Sequence, residues 1–348
     1  MFSAFIRPLQ VSGLALAALT CATALQASSF DCRKAASASE KAICADPYTA
    51  GLDRQLGEAW TATLAQSRDP KALRLDQRQW LRERDQCAAQ LACLRGAYLS
   101  RLSVLRYINL PFNWQGTWQR VSISPFYAGD LVIQQQGTDR LSFDLSAMGG
   151  ANSGALHGKA RIKGGQASYS VEGCTLVFRA RQGLLEVDQQ GDAFACGAGS
   201  GVVYDGLYVP SKQALANQYS LLSIALVRTE SEDRQARQLL KDDYQTLLDS
   251  GSVFVDQTAA GQTSADLPGA EVTDMWLRGL ADTNAAIFVR SAQGQLWVAL
   301  LKVTGPGDEV RVRYYTSVPE WKESLPDVVQ NWYEERTKGK RLEVDMMP

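Results

Sequence analysis

The chain carries a single histidine, His157, in the run Gly154-Ala155-Leu156-His157-Gly158. A Ser-His-Asp or Cys-His nucleophile would have to use it, and a lone histidine among glycines reads as an ordinary strand or surface residue. No phosphate loop with Lys-Ser/Thr after glycines is present. The glycines of Gly197–Gly201 neither fit a dinucleotide fingerprint nor introduce a clear helix. A carboxylate pair could cleave a glycosidic bond without histidine, yet nothing singles out two of the 37 acidic residues. The residue types point to a protein that binds rather than transforms, with no cofactor and no metal.

Cysteine is the other reactive type. Arg7, the apolar run Val11 to Cys21, and the small residues Ala22-Thr23-Ala24 and Ala27 form an export-signal pattern, read as residues 1–27 with cleavage after Ala27. Cys21 falls within it, and Thr20 before it departs from a lipidation site. Six cysteines remain: Cys32, Cys44, Cys87, Cys93, Cys174 and Cys196. An even number in an exported chain reads as disulfides. A metal cluster is the alternative, but no histidine lies near any of them. The expected location is therefore the periplasm or the medium. No later apolar run is long enough to span a membrane, and with a net charge of −1 nothing suggests a nucleic-acid binder.

The elements that carry the first four cysteines follow from periodicity. Ser37 and Glu40 form a capping box for a short helix ending near Cys44. Asp46-Pro47 reads as a cap and first helical residue, opening a helix of roughly 47–67. Ser67-Arg68-Asp69-Pro70 is a turn. Leu73, Gln77, Trp80, Arg84, Cys87, Leu91, Leu94, Tyr98, Leu102 and Leu105 then recur at helical spacing. Gln77 and Arg84 need partners on such a face. Folding the chain back at Asp69 brings Asp53 level with Arg84, which predicts a buried ion pair across an antiparallel hairpin. One continuous helix would separate Cys87 from Cys93 by about 9 Å along its axis. That is beyond disulfide reach, and it favours stapling Cys32 and Cys44 to Cys87 and Cys93. A loop at Ala88 to Ala92 would instead allow the local pairs 32–44 and 87–93.

These residues resemble a family. Phe30-Asp31-Cys32, Ser37-x-x-Glu40-Lys41-Ala42-Ile43-Cys44, Asp46-Pro47, Leu52-Asp53, Gln77-x-x-Trp80-Leu81-x-x-Arg84-x-x-Cys87, Cys93-Leu94 and Tyr98 are similar to the N-terminal domain of LprI-type lysozyme inhibitors. The resemblance spans roughly Phe30 to Arg106. It implies a small secreted helical domain, with Asp53, Gln77, Trp80, Arg84 and Tyr98 as structural motif residues. It implies inhibition of lysozyme as a property of some members, and no catalytic residue.

Asn109-Leu110-Pro111 ends the helical part. Short β-like runs follow at Gly116–Val121, Asp130–Gln135, Arg140–Leu145, Leu156–Ile162, Ala167–Val171, Thr175–Arg179, Leu184–Asp188 and Val202–Tyr208, separated by glycine turns. They predict an antiparallel barrel or sandwich, with Cys174 and Cys196 flanking neighbouring strands. Gly116-x-Trp118 resembles the opening strand of lipocalin-like barrels. Beyond Pro210-Ser211-Lys212, Gln213–Val227 and Ser231–Asp249 read as helices. Strands are expected at Ser252–Val255, Glu271–Leu277, Ala285–Arg290, Gln295–Val303 and Glu309–Thr316, with a hairpin turn at Gly305-Pro306-Gly307-Asp308. Pro326–Glu335 closes the chain as a helix. The fold class is thus multi-domain α+β: a signal at 1–27, a disulfide-stapled helical domain at 28–108, an antiparallel β domain at 109–212 and a small α+β domain at 213–348.

Charge is uneven. Residues 28–106 hold 13 Lys+Arg against 9 Asp+Glu, residues 107–212 balance at 8 against 8, and residues 213–348 hold 14 against 20. An acidic C-terminal part would steer a basic muramidase toward the protein; the helical part would not. Ser200-Gly201-Val202-Val203-Tyr204 with Lys212 downstream looks like the Ser-Gly-x-x-Tyr stretch of β-barrel inhibitors of C-type lysozyme, although the tryptophans usual before that lysine are missing. There the serine and lysine enter the enzyme's cleft. The resemblance makes Ser200, Tyr204 and Lys212 candidate contacts on a protruding loop. The expected function is an exported envelope binding protein that inhibits or captures lysozyme. The alternatives are an interaction module for another envelope protein and, at lower weight, an envelope hydrolase. Intact mass of periplasmic material should start near Ser28 and show no free thiol; six alkylatable thiols would contradict the reading.

Overall fold

A computed structural model describes residues 28–211, 218–258, 261, 264–304 and 309–348. The signal segment, Lys212, the start of the expected 213–227 helix and the 305–308 turn lie outside the described residues.

Four helices open the chain. The capping box of Ser37 and Glu40 starts α1 (Ala38–Ala45), and Asp46 caps α2 (Pro47–Ala65) with Pro47 in its first turn. Asp69 caps α3 (Pro70–Asp85), and α4 runs Leu91–Leu105. The expected single helix is therefore two. The chain turns between them at Ala88, a non-glycine residue at φ 50°, and Cys87 bonds Cys93 across that turn with Cα atoms 5.5 Å apart. The favoured staple is overturned with it: Cys32 bonds Cys44, and every bridge in the helical region is local. Ile43, Leu52, Leu56, Leu73, Leu94 and Tyr98 form the shared core of the helices.

Eight strands follow: β1 (Gly116–Arg120), β2 (Gly129–Gln136), β3 (Arg140–Gly149), β4 (Asn152–Lys163), β5 (Gln166–Val171), β6 (Cys174–Arg181), β7 (Leu184–Gly191) and β8 (Gly206–Pro210). Each pairs antiparallel with the next, and β8 pairs with β1, so the sheet closes into a barrel. Closure removes the open edges that a sandwich would keep. Alternation sets the interior: Leu141, Phe143, Leu145 and Ala147 of β3 point inward with Leu131, Ile133, Leu176 and Phe178. One end carries the β2–β3, β4–β5 and β6–β7 turns. There Phe112 packs on Trp114 and Trp118. Gly183 (φ +86°) lies against the Leu110 and Tyr107 carbonyls, where a Cβ would come within 2.5 and 2.9 Å. Only glycine fits that contact.

The last part is a six-stranded sheet ordered β14-β13-β12-β11-β10-β9, built from β9 (Val253–Asp256), β10 (Glu271–Trp276), β11 (Ala285–Arg290), β12 (Leu296–Thr304), β13 (Glu309–Thr316) and β14 (Val344–Met346). β14, which the pattern did not reveal, pairs parallel with β13. Helices α5 (Glu230–Leu240) and α6 (Asp243–Asp249) belong to the core on one face, and α7 (Asp327–Thr337) to that on the other. The expected helix 231–249 is broken at Lys241, at φ 51°, and its cap is Thr229 rather than Ser231. Asp243 is buried among Lys302, Arg313 and Tyr315. Burial would raise its pKa, but hydrogen bonds from those three groups outweigh it and hold the carboxyl at about 2.

Residues 218–227 are turns, not the helix expected over Gln213–Val227. Ser220 and Ser223 bond each other's backbone, which competes with a helix. The Leu222 and Val227 carbonyls instead accept hydrogen bonds from Arg95 of α4. Arg95 is 0 % exposed and also grips Asp46, with Nη2 at 2.9 Å from both carboxylate oxygens. Burial lowers the Arg95 pKa, and Asp46 opposes that. Removing one partner of such a buried pair costs about 3–5 kcal/mol. Arg95→Met should therefore lower the urea stability of the chain by about 3 kcal/mol, and an unchanged midpoint would show that the joint rests on other contacts.

Candidate functional site

The motif residues of the helices meet in one polar cluster. Tyr98, fully buried on α4, donates its hydroxyl to Asp53 Oδ1 (2.8 Å) and accepts from Arg84 Nη1 (2.9 Å). Arg84 pairs with its neighbour Asp85 at 2.6 Å. The expected Asp53–Arg84 ion pair is thus not direct. Both side chains are buried at the right level, but the Tyr98 hydroxyl stands between them. Trp80 packs edge-on against the Tyr98 ring at 5.5 Å, and the Arg84 guanidinium lies 5.8 Å from the Trp80 ring centre. Burial pushes the Tyr98 hydroxyl well above its ordinary pKa. Burial also works against the Arg84 charge, yet Tyr98 and Asp85 more than offset it and leave the pKa raised. The guanidinium and the phenol brace the helices from inside their shared core.

Gln77 leads to a second chain of contacts. Its Oε1 accepts from Arg101 Nε and Nη2 at 3.0 and 2.8 Å. Arg101 pairs with Asp76 at 2.7 Å, Asp76 pairs with Arg181 of β6, and Arg181 reaches Glu186 of β7 at 3.1 Å. The helices are bound to the barrel wall through this line. The small cleft beside it, about 410 Å³, is lined by members of these same ion pairs. Arg95, Arg101 and Asp76 were not among the expected motif residues. The available signal was an arginine in the otherwise apolar run Leu91 to Leu99.

The other expected site lies at the opposite end of the barrel. Cys174 bonds Cys196, and the segment after β7 folds into the barrel mouth with Cys196, Ala198, Val202 and Tyr204 in the core. Tyr204 is 0 % exposed, so it is corrected from a contact residue to a plug. The parity that exposes Val203 turns its neighbours Val202 and Tyr204 inward. Ser200 is exposed, but its stretch is not a free loop. Its carbonyl accepts from Asn152 Nδ2 at 2.9 Å, Gly199 donates to the Ser153 carbonyl, and Gly201 lies against the Arg278 side chain. Lys212 lies outside the described residues.

The part that does stand out is Phe194, 70 % exposed, in the same segment. Beside it the β5–β6 turn presents Val171, 43 % exposed, and Gly173, whose added Cβ would lie 3.0 Å from Ala195. Glu172 and Asp192 are exposed at this tip, and the Asp192 carboxylate accepts the Phe194 and Ala195 amides. Nothing in Asp192-Ala193-Phe194-Ala195 distinguishes an outward phenylalanine from a core one.

The helical region is also the part of the chain that matches a known family. Residues 32–128 match the family described as Lysozyme inhibitor LprI. The LprI match covers α1 to α4 and continues through β1, some twenty residues past the end of the resemblance seen in the sequence. Within that extension Val121 and Ile123 pack against the helical core. No curated protein and no solved structure matches the chain. If this cluster is a brace, Tyr98→Phe should cost about 1–3 kcal/mol by leaving Asp53 Oδ1 and Arg84 Nη1 without their shared partner. Chemical denaturation measures it, and a wild-type midpoint would remove the hydroxyl from the list of supports.

Proposed function

We propose that this is an exported envelope binding protein that captures lysozyme, and that the barrel tip around Phe194 makes the contact. The observation that carries the reading is the exposed Phe194 on an anchored base. A large aromatic side chain held in place before binding gives up little entropy on association. The Cys174–Cys196 bond fixes the base of the segment, and both cysteines are buried. Glu172 and Asp192 give the apolar tip an acidic rim, the sign that attracts a basic muramidase. The LprI-type match of the helices supports the lysozyme part of the proposal. Three disulfides fit an oxidising compartment.

A second reading is an envelope interaction module without lysozyme activity. It is favoured by the packing of Gly199, Ser200 and Gly201 against Asn152, Ser153 and Arg278, which withholds the Ser-Gly stretch from a cleft. Titration of a basic muramidase acting on peptidoglycan separates the two. Full-length protein should inhibit, more strongly at low salt. Phe194→Ala should weaken inhibition by about tenfold or more, a cost of roughly 1.4 kcal/mol, and Ser200→Ala should change it little. Equal inhibition by Phe194→Ala would move the contact elsewhere, and no inhibition by any form at micromolar concentration would favour the interaction module.

A further inference from the structure

The basic excess of the helical region is concentrated on one surface. Opposite the buried side of α3, formed by Leu73, Asp76, Trp80 and Arg84, the helix turns out Lys71, Arg74, Leu75, Arg78 and Arg82, and all five are exposed. Arg68 is exposed in the turn just before the helix. Among the described residues Lys71, Arg74, Arg78 and Arg82 enter no ion pair, and Arg82 donates only to Gln79. Asp85 at the far end of this face is taken by Arg84 at 2.6 Å. Asp69 caps the helix, and Glu83 lies to one side, accepting from Gln79.

This arrangement costs helix stability. Arg74, Arg78 and Arg82 stand at successive i,i+4 positions, where like charges repel by about 0.2–0.5 kcal/mol per pair. A merely solvated face would interleave acidic residues at those steps, but the intervening four-residue neighbours are Leu75 and Gln79. The exposed leucine adds a second oddity: Leu75 is 58 % exposed in the middle of the cations. Four cations along about 16 Å of a rigid helix, around one protruding aliphatic side chain, fit a surface that is anionic at its boundary and apolar just beneath.

We infer that the outer face of α3 is a docking surface for an anionic lipid bilayer. Lys71, Arg74, Arg78 and Arg82 would meet headgroup phosphates, and Leu75 would reach the acyl boundary. The face lies on the helical region, away from the Phe194 tip on the barrel, so the inference stands independently of the lysozyme reading.

Sedimentation of the full chain with phospholipid vesicles tests it. The protein should pellet with phosphatidylglycerol vesicles at low salt, stay in solution with phosphatidylcholine vesicles, and be released from the former at high salt. The double variant Arg74→Glu/Arg78→Glu should bind about thirtyfold or more weakly, from roughly 1 kcal/mol for each cation removed. Its melting temperature should not fall, because these side chains touch no core. Leu75→Ser should weaken vesicle binding several-fold. No pelleting with phosphatidylglycerol at low salt, or equal pelleting by the double variant, overturns the inference. Vesicle binding indifferent to Leu75→Ser and abolished by soluble polyphosphate would also overturn it, in favour of a soluble polyanion.

Discussion

A buried arginine joins the helical region to the start of the last region of this chain. Arg95 leaves an apolar helix, takes both oxygens of Asp46, and spends its remaining donors on the carbonyls of Leu222, Val227 and Arg228. The Tyr48 ring covers the guanidinium at 5.0 Å. Each partner would be intolerable in that interior alone. Asp46 is tied twice over, because its carboxylate also caps α2 through Thr49. The first half of α4, the start of α2 and an irregular stretch far along the chain therefore fix one another. The irregular stretch is irregular because its carbonyls are needed elsewhere.

The same logic repeats at smaller scale. Asp53, Tyr98 and Arg84 share two hydrogen bonds, with the Tyr98 hydroxyl standing between the two charged side chains. Asp76 serves Arg101 and Arg181 together and ties α3 to the barrel wall. On the other side, the Ala151 amide bonds the Arg278 carbonyl, and Tyr127 bonds the Ser252 carbonyl. Directional polar contacts of this kind add little net stability each, but they select one packing of the regions among the many that apolar surfaces alone would tolerate.

Elements with a strong period were legible in the sequence. The eight barrel strands stood out because inward residues alternate and glycines mark the turns, and α1, α2 and α7 stood out because their ends carry caps or proline. Helix interruptions were harder to read: a loop at Ala88 to Ala92 was an open alternative and the break at Lys241 had no signal, since neither alanine nor lysine favours a positive φ. The Leu73 to Leu105 stripe was correct as a set of inward residues and wrong as a single rod, since a turn of the right length restores the phase. Of the candidate contacts, Tyr204 failed on parity within its own segment. Arg95 and Arg101 lay off the apolar stripe, so a search along that stripe could not reach them.

From Cys32 onward the three bridges join the six cysteines in the order in which they occur: Cys32 with Cys44, Cys87 with Cys93, Cys174 with Cys196. This is one of about 15 pairings open to six cysteines. It is the pairing that a chain oxidised progressively from its N-terminus reaches without ever breaking a bond. In a chain exported N-terminus first, each partner would arrive before the cysteines of the next pair emerge, which would leave thiol–disulfide reshuffling, the slow step of many cysteine-rich proteins, nothing to correct. The local turn at Ala88, which spoils the long helix, is what makes the second of these bonds possible.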